Sequence, residues 1–487
     1  MSHENTTVLD RYPAYEAIIG IEVHVQLKTE TKIFCSCPNQ FGCDPNTNIC
    51  PVCTGQPGAL PVLNKKVVEY AMLAGLATES DITRSNTFAR KHYMYPDLPK
   101  NYQITQGDVA ICMNGAIPIK TIDGQDKNVR LIRMHMEEDA GKNTHGTGGI
   151  SWVDLNRAGT PLLEIVTHPD MANSVEAKNY LTRLHTIIRY LGISEANMDE
   201  GSFRADINIS VMPKGSKTYG TRVELKNINS FRFIVNAIEY EIERHIECLE
   251  KGEKISQETR QWDQKNQKTT FMRSKEEAQD YRYFTEPDLP PVLIDDAWLV
   301  AIKARLPELP HHKTARFQTA YGIPAYDADL LTEELDRAVF FEEAAKTCGN
   351  AKGVCNWILR DVLGYLKEHK QELHEIKLTP QGLGELVKAL DSGLINSKVA
   401  QDIFVEMVQT GKSVATIVDE KDLKQIGSTE ELEAIVLAVL AANPDNVAKY
   451  KAGNERLFPY FIGQAMKETK GKGNPVILQE LLKKHLS

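Results

Sequence analysis

Four stretches in the first half of the chain alternate between apolar residues and residues that carry charge or an amide. Glu22, His24 and Gln26 alternate with Ile21, Val23, Val25 and Leu27. Arg133, His135 and Glu137 alternate with Ile132, Met134 and Met136. Arg204, Asp206 and Asn208 alternate with Phe203, Ala205, Ile207 and Ile209, and Arg222, Glu224 and Lys226 with Val223 and Leu225. A period of two predicts strands, because successive side chains point to opposite faces of a sheet. If the four share a sheet, one face is an apolar floor and the other a tray of carboxylates, histidines and cations. A single strand of this kind is commonly just the wet side of an antiparallel sheet. Here three of the four join a carboxylate to an Arg or Lys, and the fourth sets Glu beside His. That donor set suits Mg²⁺, which takes hard oxygen ligands, and phosphate, which takes cationic donors.

Between these strands the apolar spacing changes to three and four. VVEYAMLAGLAT, SVEAKNYLTRLHTIIRYLG and FIVNAIEYEIERHIECLEKG each predict an amphipathic helix. The proline-rich run EPDLPPVLIDD closes this region, so a first domain is expected over 1–295. From 296 to 405 the pattern is helical throughout, with TPQGLGELVKALDSG and SKVAQDIFVEMVQTG each stopping at a glycine. Short helices continue over 406–487. The expectation is an α+β protein: a mainly antiparallel sheet domain, then a helical domain, then a small helical tail.

A length of 487 residues exceeds one ordinary core, in keeping with two to four domains. No apolar run is long enough to span a bilayer, and the polar start MSHENTTVLDRYPAYE has no signal-peptide core, so a cytoplasmic protein is expected. The net charge of −9 excludes nucleic-acid binding by the whole surface, but not by a local patch. Such a patch lies at 451–487, where seven Lys/Arg face three Glu.

Five of the nine cysteines fall between Cys35 and Cys53. In a reducing compartment that clustering points to metal rather than disulfides. Cys35 and Cys37 (CSC) with Cys50 and Cys53 (CPVC) supply two close thiol pairs across a short loop, as a tetrahedral Zn²⁺ site requires. Four sulfur ligands leave no open position, so this zinc is expected to be structural, with Cys43 a spare.

HMEEDAGK sets Glu137, Glu138 and Asp139 side by side at a strand end, where acids can chelate Mg²⁺ or simply form a charged turn. In VDLNRAGTPLLEIVT, Arg157 precedes a Gly and a Pro and so sits at a tight turn, a suitable place for a phosphate clamp. Arg204, Arg222 and Lys226 are candidate clamps by their tray positions. ARKHYMYPDLPKNYQITQ and DYRYF interleave basic and aromatic residues, which on a loop suit phosphates and stacked bases. GKS at 411–413 has Glu406 where a Walker loop needs glycine, and no G-x-G-x-x-G is present, so ATP binding would fall to the tray and its metal ions. No amidase nucleophile segment is visible, so release of ammonia from an amide would need a partner.

Together IGIEVHVQLKT, YMYPDLPKNYQI, HMEEDAGK, VDLNRAGTPLLEIV, EGSFRADINIS, ELKNINSFRF, ETRQWD and DYRYFTEPDLPP resemble the GatB family of the GatCAB tRNA-dependent amidotransferases. The tail YKAGNERLFPYFIGQAMKETKGKGNP is similar to the family's YqeY-like domain. The resemblance runs from about residue 15 to the end. It implies a catalytic cradle of the glutamine synthetase class, a helical domain and a YqeY-like tRNA-binding tail. It further implies ATP-dependent conversion of Glu-tRNA(Gln), and in many organisms Asp-tRNA(Asn), to the amidated tRNA. The partners implied are the GatA-type amidase, which supplies ammonia, and the small GatC-type protein of the heterotrimer.

Residue by residue, Glu22, His24, Glu137, Glu138 and Glu224 match the family's Mg²⁺ site, with Asp206 supporting. His24 either binds the ion or orients a water on it. Lys467, Lys470 and Lys472 are candidates for gripping tRNA phosphates. Ala205 stands where many members carry cysteine, and its register puts it on the floor. The alternative reading is a non-catalytic tRNA-binding scaffold whose tray holds only a structural ion.

Overall fold

The computed structural model describes residues 6–274, 280–423, 429–469 and 473–486. The four alternating stretches lie in one 13-stranded sheet. Its main path uses β1 (Tyr15–Gln26), β2 (Ala89–His92), β3 (Tyr102–Thr105), β4 (Asp126–Glu138), β5 (Pro161–Thr167), β6 (Phe203–Pro213), β7 (Val223–Lys226), β8 (Glu258–Asp263), β9 (Lys268–Ser274) and β10 (Phe284–Thr285). The strand order is β9-β8-β7-β6-β1-β5-β4-β3-β2-β10. Every neighbouring pair is antiparallel except β7–β8.

Register fixes which side chains share the tray. Across one row run Arg204, His24, Glu164 and His135, and Glu22 stands opposite Asp206 in the next. Glu224 is opposite Asn208, one row further. A one-residue slip would move every one of these groups to the floor. The floor is a continuous core: Ile21, Val23, Val25, Met134, Met136, Ile207, Ile209 and Leu225 are all buried. Ala205 is buried there too, as its register requires.

Three helices cover the floor: α1 (Lys65–Ala77), α2 (Ser174–Tyr190) and α3 (Phe231–Glu250). Each begins at a side-chain cap, in which Asn64, Asn173 and Ser230 accept the Lys66, Glu176 and Phe233 amides. The predicted helical periods thus mark the helices that bury the sheet.

The segment expected to be an aromatic and basic loop is partly strand. β2 and β3 occupy its two ends, leaving Tyr93–Asn101 between them. Arg90 explains the order: its guanidinium pairs with buried Glu286 at 2.7 Å and lies 4.3 Å from the centroid of the Tyr102 ring. It thereby ties β2 to β3 and to the segment that follows β10.

The chain divides into compact units Met1–Leu309 and Pro310–Ser487. A fourth helix, α4 (Asp296–Lys303), lies past the proline-rich run and buries Ile302 in the first core. The second unit is built of helices around two apolar clusters, one from Phe317 to Val418 and one from Leu432 to Leu486. Helix Ser397–Thr410 ends at Gly411 in the left-handed region (φ 76°), as its sequence predicts.

Candidate active site on the polar face of the sheet

His24 and His135 stand between two carboxylates. His24 Nε2 is 3.4 Å from Glu164 Oε2 and 3.6 Å from Glu137 Oε1. His135 Nε2 is 3.0 Å from Glu164 and 3.4 Å from Glu137. Burial alone would lower both imidazoles. Glu164 and Glu137 outweigh it, so His24 is raised and His135 is held up at about 9. Burial pushes Glu164 up, but the two imidazoles bring it well below the ordinary carboxylate range. Ligand atoms of His24, Glu137 and Glu164 all lie within 4.8 Å of one another, which is the convergence an ion needs.

Glu22 extends this cluster. Burial first, then the neighbouring charges of Glu164, Asp206 and Glu224, raise its pKa. It accepts a hydrogen bond from Asn208 Nδ2 at 3.0 Å. Glu224 is buried, accepts from Thr259 Oγ1 at 2.8 Å and lies 3.7 Å from Lys226 Nζ. Lys226 also pairs with Asp206. Lys91 of β2 faces the same acids: burial lowers its pKa, and Glu137 foremost raises it again.

The three adjacent acids of HMEEDAGK go three ways. Glu137 joins the histidines. Glu138 is buried against Lys100 and accepts the Ile104 amide at 2.8 Å, apart from the His24–Glu137–Glu164 trio. Asp139 turns to the arginines: its Oδ2 accepts from Arg204 at 3.0 Å and from Gln26 at 2.8 Å, with Arg157 Nε at 3.5 Å. Arg157 also donates to the carbonyls of Ala140 at 2.9 Å and Gly141 at 2.7 Å. Both guanidiniums stay about one-third exposed. They open onto a cleft of about 950 Å³ whose lining includes Arg157, Arg204, Asp206, Lys142 and Phe233.

Arg222 stands apart from this arrangement. It is exposed and lies just before β7 rather than in it. Lys467 is exposed near the end of helix Phe458–Glu468, whereas Lys470 and Lys472 lie outside the described residues.

The predicted cysteine set also converges. The sulfurs of Cys35, Cys37, Cys50 and Cys53 all lie within 4.8 Å of one another, and the set excludes Cys43. A hydrogen bond from Cys35 holds Cys53 down at about 4, with Lys32 helping, while burial pushes Cys37 up to about 11. A ready thiolate among neighbouring thiols suits a soft divalent ion such as Zn²⁺.

Residues 17–300 match the GatB/GatE catalytic domain and residues 339–486 the GatB domain. The chain belongs to the GatB/GatE family. It is 50% identical over 473 residues to the B subunit of the aspartyl/glutamyl-tRNA(Asn/Gln) amidotransferase of Trichlorobacter lovleyi, covering 97% of this chain and 99% of that one. The protein of the same description from Persephonella marina is 52% identical over 474 residues, 96% of this chain and 100% of its own. That from Geotalea daltonii is 51% identical over 476 residues, 97% and 99%.

Sequence reasoning did not foresee the partners of three residues of this site. Glu164 was visible in PLLEIVT, but β5 carries one ionisable residue between Leu162 and Val166, so alternation does not single it out. His135 was visible as a tray position, yet its bond to Glu164 needs β5 placed between β1 and β4. Asp139 follows the alternating run, and only the chain's turn at Ala140–Gly141 carries it to the arginines.

Proposed function

We propose that this face activates a tRNA-bound carboxylate by phosphoryl transfer, in the amidotransferase that forms Gln-tRNA(Gln) or Asn-tRNA(Asn). A carboxylate is a poor electrophile, and making it an acyl phosphate gives it a leaving group. A side-chain oxygen of Glu-tRNA(Gln) or Asp-tRNA(Asn) attacks the γ-phosphorus of ATP, and ADP departs with the bond electrons. Ammonia from the GatA-type amidase then attacks the acyl carbon and displaces inorganic phosphate, forming the amide. The small GatC-type protein completes the heterotrimer, in the cytoplasm.

Phosphoryl transfer asks a protein mainly for positioning and charge neutralisation. Arg157 and Arg204 are oriented by Asp139 and one-third open to the cleft, which suits them to grip phosphate oxygens. Lys226, paired with Asp206 of the cleft wall, is a further candidate donor. Glu22, His24, Glu137 and Glu164 would hold Mg²⁺, with Glu224 and Asp206 nearby; the ion would offset charge on the triphosphate. Glu138 and Arg222 are less well placed for the roles expected of them, being respectively tied to Lys100 and exposed outside the strand.

A structural Zn²⁺ in Cys35, Cys37, Cys50 and Cys53 would brace the knuckle. Lys467 would meet tRNA phosphates by charge. The sheet domain is read as a cradle of the glutamine synthetase class, followed by a helical domain over 296–405 and a YqeY-like tail over 406–487.

One observation supports this reading best: Arg204 shares one row of the sheet face with His24, Glu164 and His135, and Asp139 brings Arg157 beside it. The test combines the chain with its amidase partners, ATP and Glu-tRNA. Phosphate release that requires the charged tRNA is expected. An intact complex that binds tRNA and releases none would favour a scaffold. A Glu224→Ala variant is expected to keep tRNA binding and lose amidation; unchanged amidation removes Glu224 from the site.

A further inference from the structure

Lys32 has no exposed surface. Its Nζ lies 2.8 Å from the Asn48 carbonyl and 3.7 Å from Cys53 Sγ. An ammonium taken wholly out of water is costly unless it meets negative charge. Four thiolates carry more charge than one divalent ion cancels, so a loaded knuckle is net negative and gives Lys32 its counter-charge. Lys32 therefore fits a cluster that carries net negative charge, which four metal-bound thiolates supply.

The knuckle is also laced to the turn that carries Arg157. Asn46, in the left-handed region (φ 60°), donates its amide to Asp154 Oδ1 at 3.1 Å and its side chain to the Val153 carbonyl at 3.0 Å. It accepts the Leu155 amide at 2.8 Å. Asn156 accepts the Asn48 amide at 2.8 Å and donates to the Asp44 carbonyl at 2.7 Å. On the far side of Arg157, the Gly159 carbonyl (φ 83°) accepts the Ile33 amide, next to Lys32, at 3.0 Å. The segment that carries Arg157 is thus hydrogen-bonded on both sides, by Asn156 to the cysteine loop and by Gly159 to Ile33 beside Lys32.

We propose that the cysteine knuckle is a metal-dependent positioning frame for Arg157, with Lys32 as its internal counter-ion and Asn156 as the link. The inference rests on the reading that Arg157 faces nucleotide phosphate. Metal loading then sets the anion affinity of the cleft without the metal touching substrate. Residues around a metal commonly tune affinity or activity about ten- to a hundredfold.

The test strips zinc from the wild-type heterotrimer with a chelator. It measures amide hydrogen exchange over 153–160 and the affinity for a non-hydrolysable ATP analogue, then restores zinc. Stripping is expected to speed exchange in that segment and weaken the analogue about tenfold, and zinc to restore both. A Lys32→Met variant is expected to surrender zinc to a chelating dye about tenfold faster. Asn156→Ala is expected to retain zinc yet bind the analogue weakly whether zinc is present or not.

Exchange and affinity that ignore zinc overturn the inference while leaving the phosphoryl-transfer reading intact. A loaded complex that binds no nucleotide overturns both. A knuckle that only braces the fold would lower the melting temperature and leave the affinity of the folded protein unchanged, which also refutes the proposal. The wild-type chelation experiment decides the matter even if Lys32→Met fails to fold.

Discussion

Replacing Asp139 by Asn separates geometry from charge at the arginine pair. The carboxylate is buried, and its Oδ2 gathers Arg204, Gln26 and, more distantly, Arg157. Burial pushes its pKa up, but Arg204 and Arg157 outweigh that and hold it below the ordinary aspartate range. It is therefore the anion that orients both guanidiniums before substrate arrives. Removing one partner of a fully buried ion pair costs about 3–5 kcal/mol. Here both arginines are about one-third exposed, so solvent screening reduces the loss to about 2 kcal/mol.

Spent on positioning, that loss slows phosphoryl transfer about thirtyfold. The affinity for ATP should hold or rise, because two cations at the cleft have lost a competing anion. The assay is Glu-tRNA-dependent phosphate release by the heterotrimer with Asp139→Asn, fitted separately for kcat and KM of ATP. A fall in kcat with KM steady or lower supports the argument. A folded variant whose kcat stays within about twofold of wild type refutes it, since about 2 kcal/mol of positioning cannot vanish from the rate.

Other outcomes follow from neighbouring groups. Glu164→Gln, which removes the charge between His24 and His135, is expected to weaken Mn²⁺ binding, used as a paramagnetic probe, by about tenfold or more; unchanged binding places the ion elsewhere. Glu241 on α3 is fully buried against Arg244, Arg260, His245 and Thr269; burial raises its pKa, but these partners bring it down to about 2. Its folded pKa is depressed, so it contributes about 3 kcal/mol above the unfolded value, lost as pH falls from about 5 toward 2; Glu241→Gln should abolish that part of the pH dependence in urea unfolding. Lys467→Glu is expected to weaken tRNA binding equally for cognate and unrelated tRNA and to reduce the salt slope by about one; a full wild-type slope would clear Lys467 of phosphate contact.

The tray was legible because its physics is local. Alternation needs only neighbours along the chain, and Glu22, His24, Arg204 and Asp206 follow it on long strands with a fully apolar opposite face. The cysteine set was legible for a similar reason, since two close pairs on a short loop have few ways to miss one another. Glu164 and Asp139 were hidden because their roles depend on what lies beside them in space. Glu164 matters because β5 runs between β1 and β4, a fact of strand order rather than of spacing. Arg222 shows the converse: it keeps the period of Glu224 and Lys226, but the strand starts one residue later and the side chain is left in solvent.

The same distinction accounts for the division of labour at Glu137, Glu138 and Asp139. Three adjacent acids cannot share one ion when the backbone holds them in a strand, because alternation sends the middle one to the opposite face. Glu138 therefore needs a cation of its own and finds Lys100, while the end of the strand frees Asp139 to reach the arginines. One short acidic run thus supplies a carboxylate facing the histidines, a buried brace and an arginine anchor. The brace has its own consequence for the cleft. Lys100 and Glu138 fasten β4 to the loop before β3, and Thr105 of β3 bonds Glu137 at 3.2 Å. The position of Glu137 is thereby set from two sides, by the histidines that Glu164 of β5 holds and by β3. Each can be loosened separately by mutation.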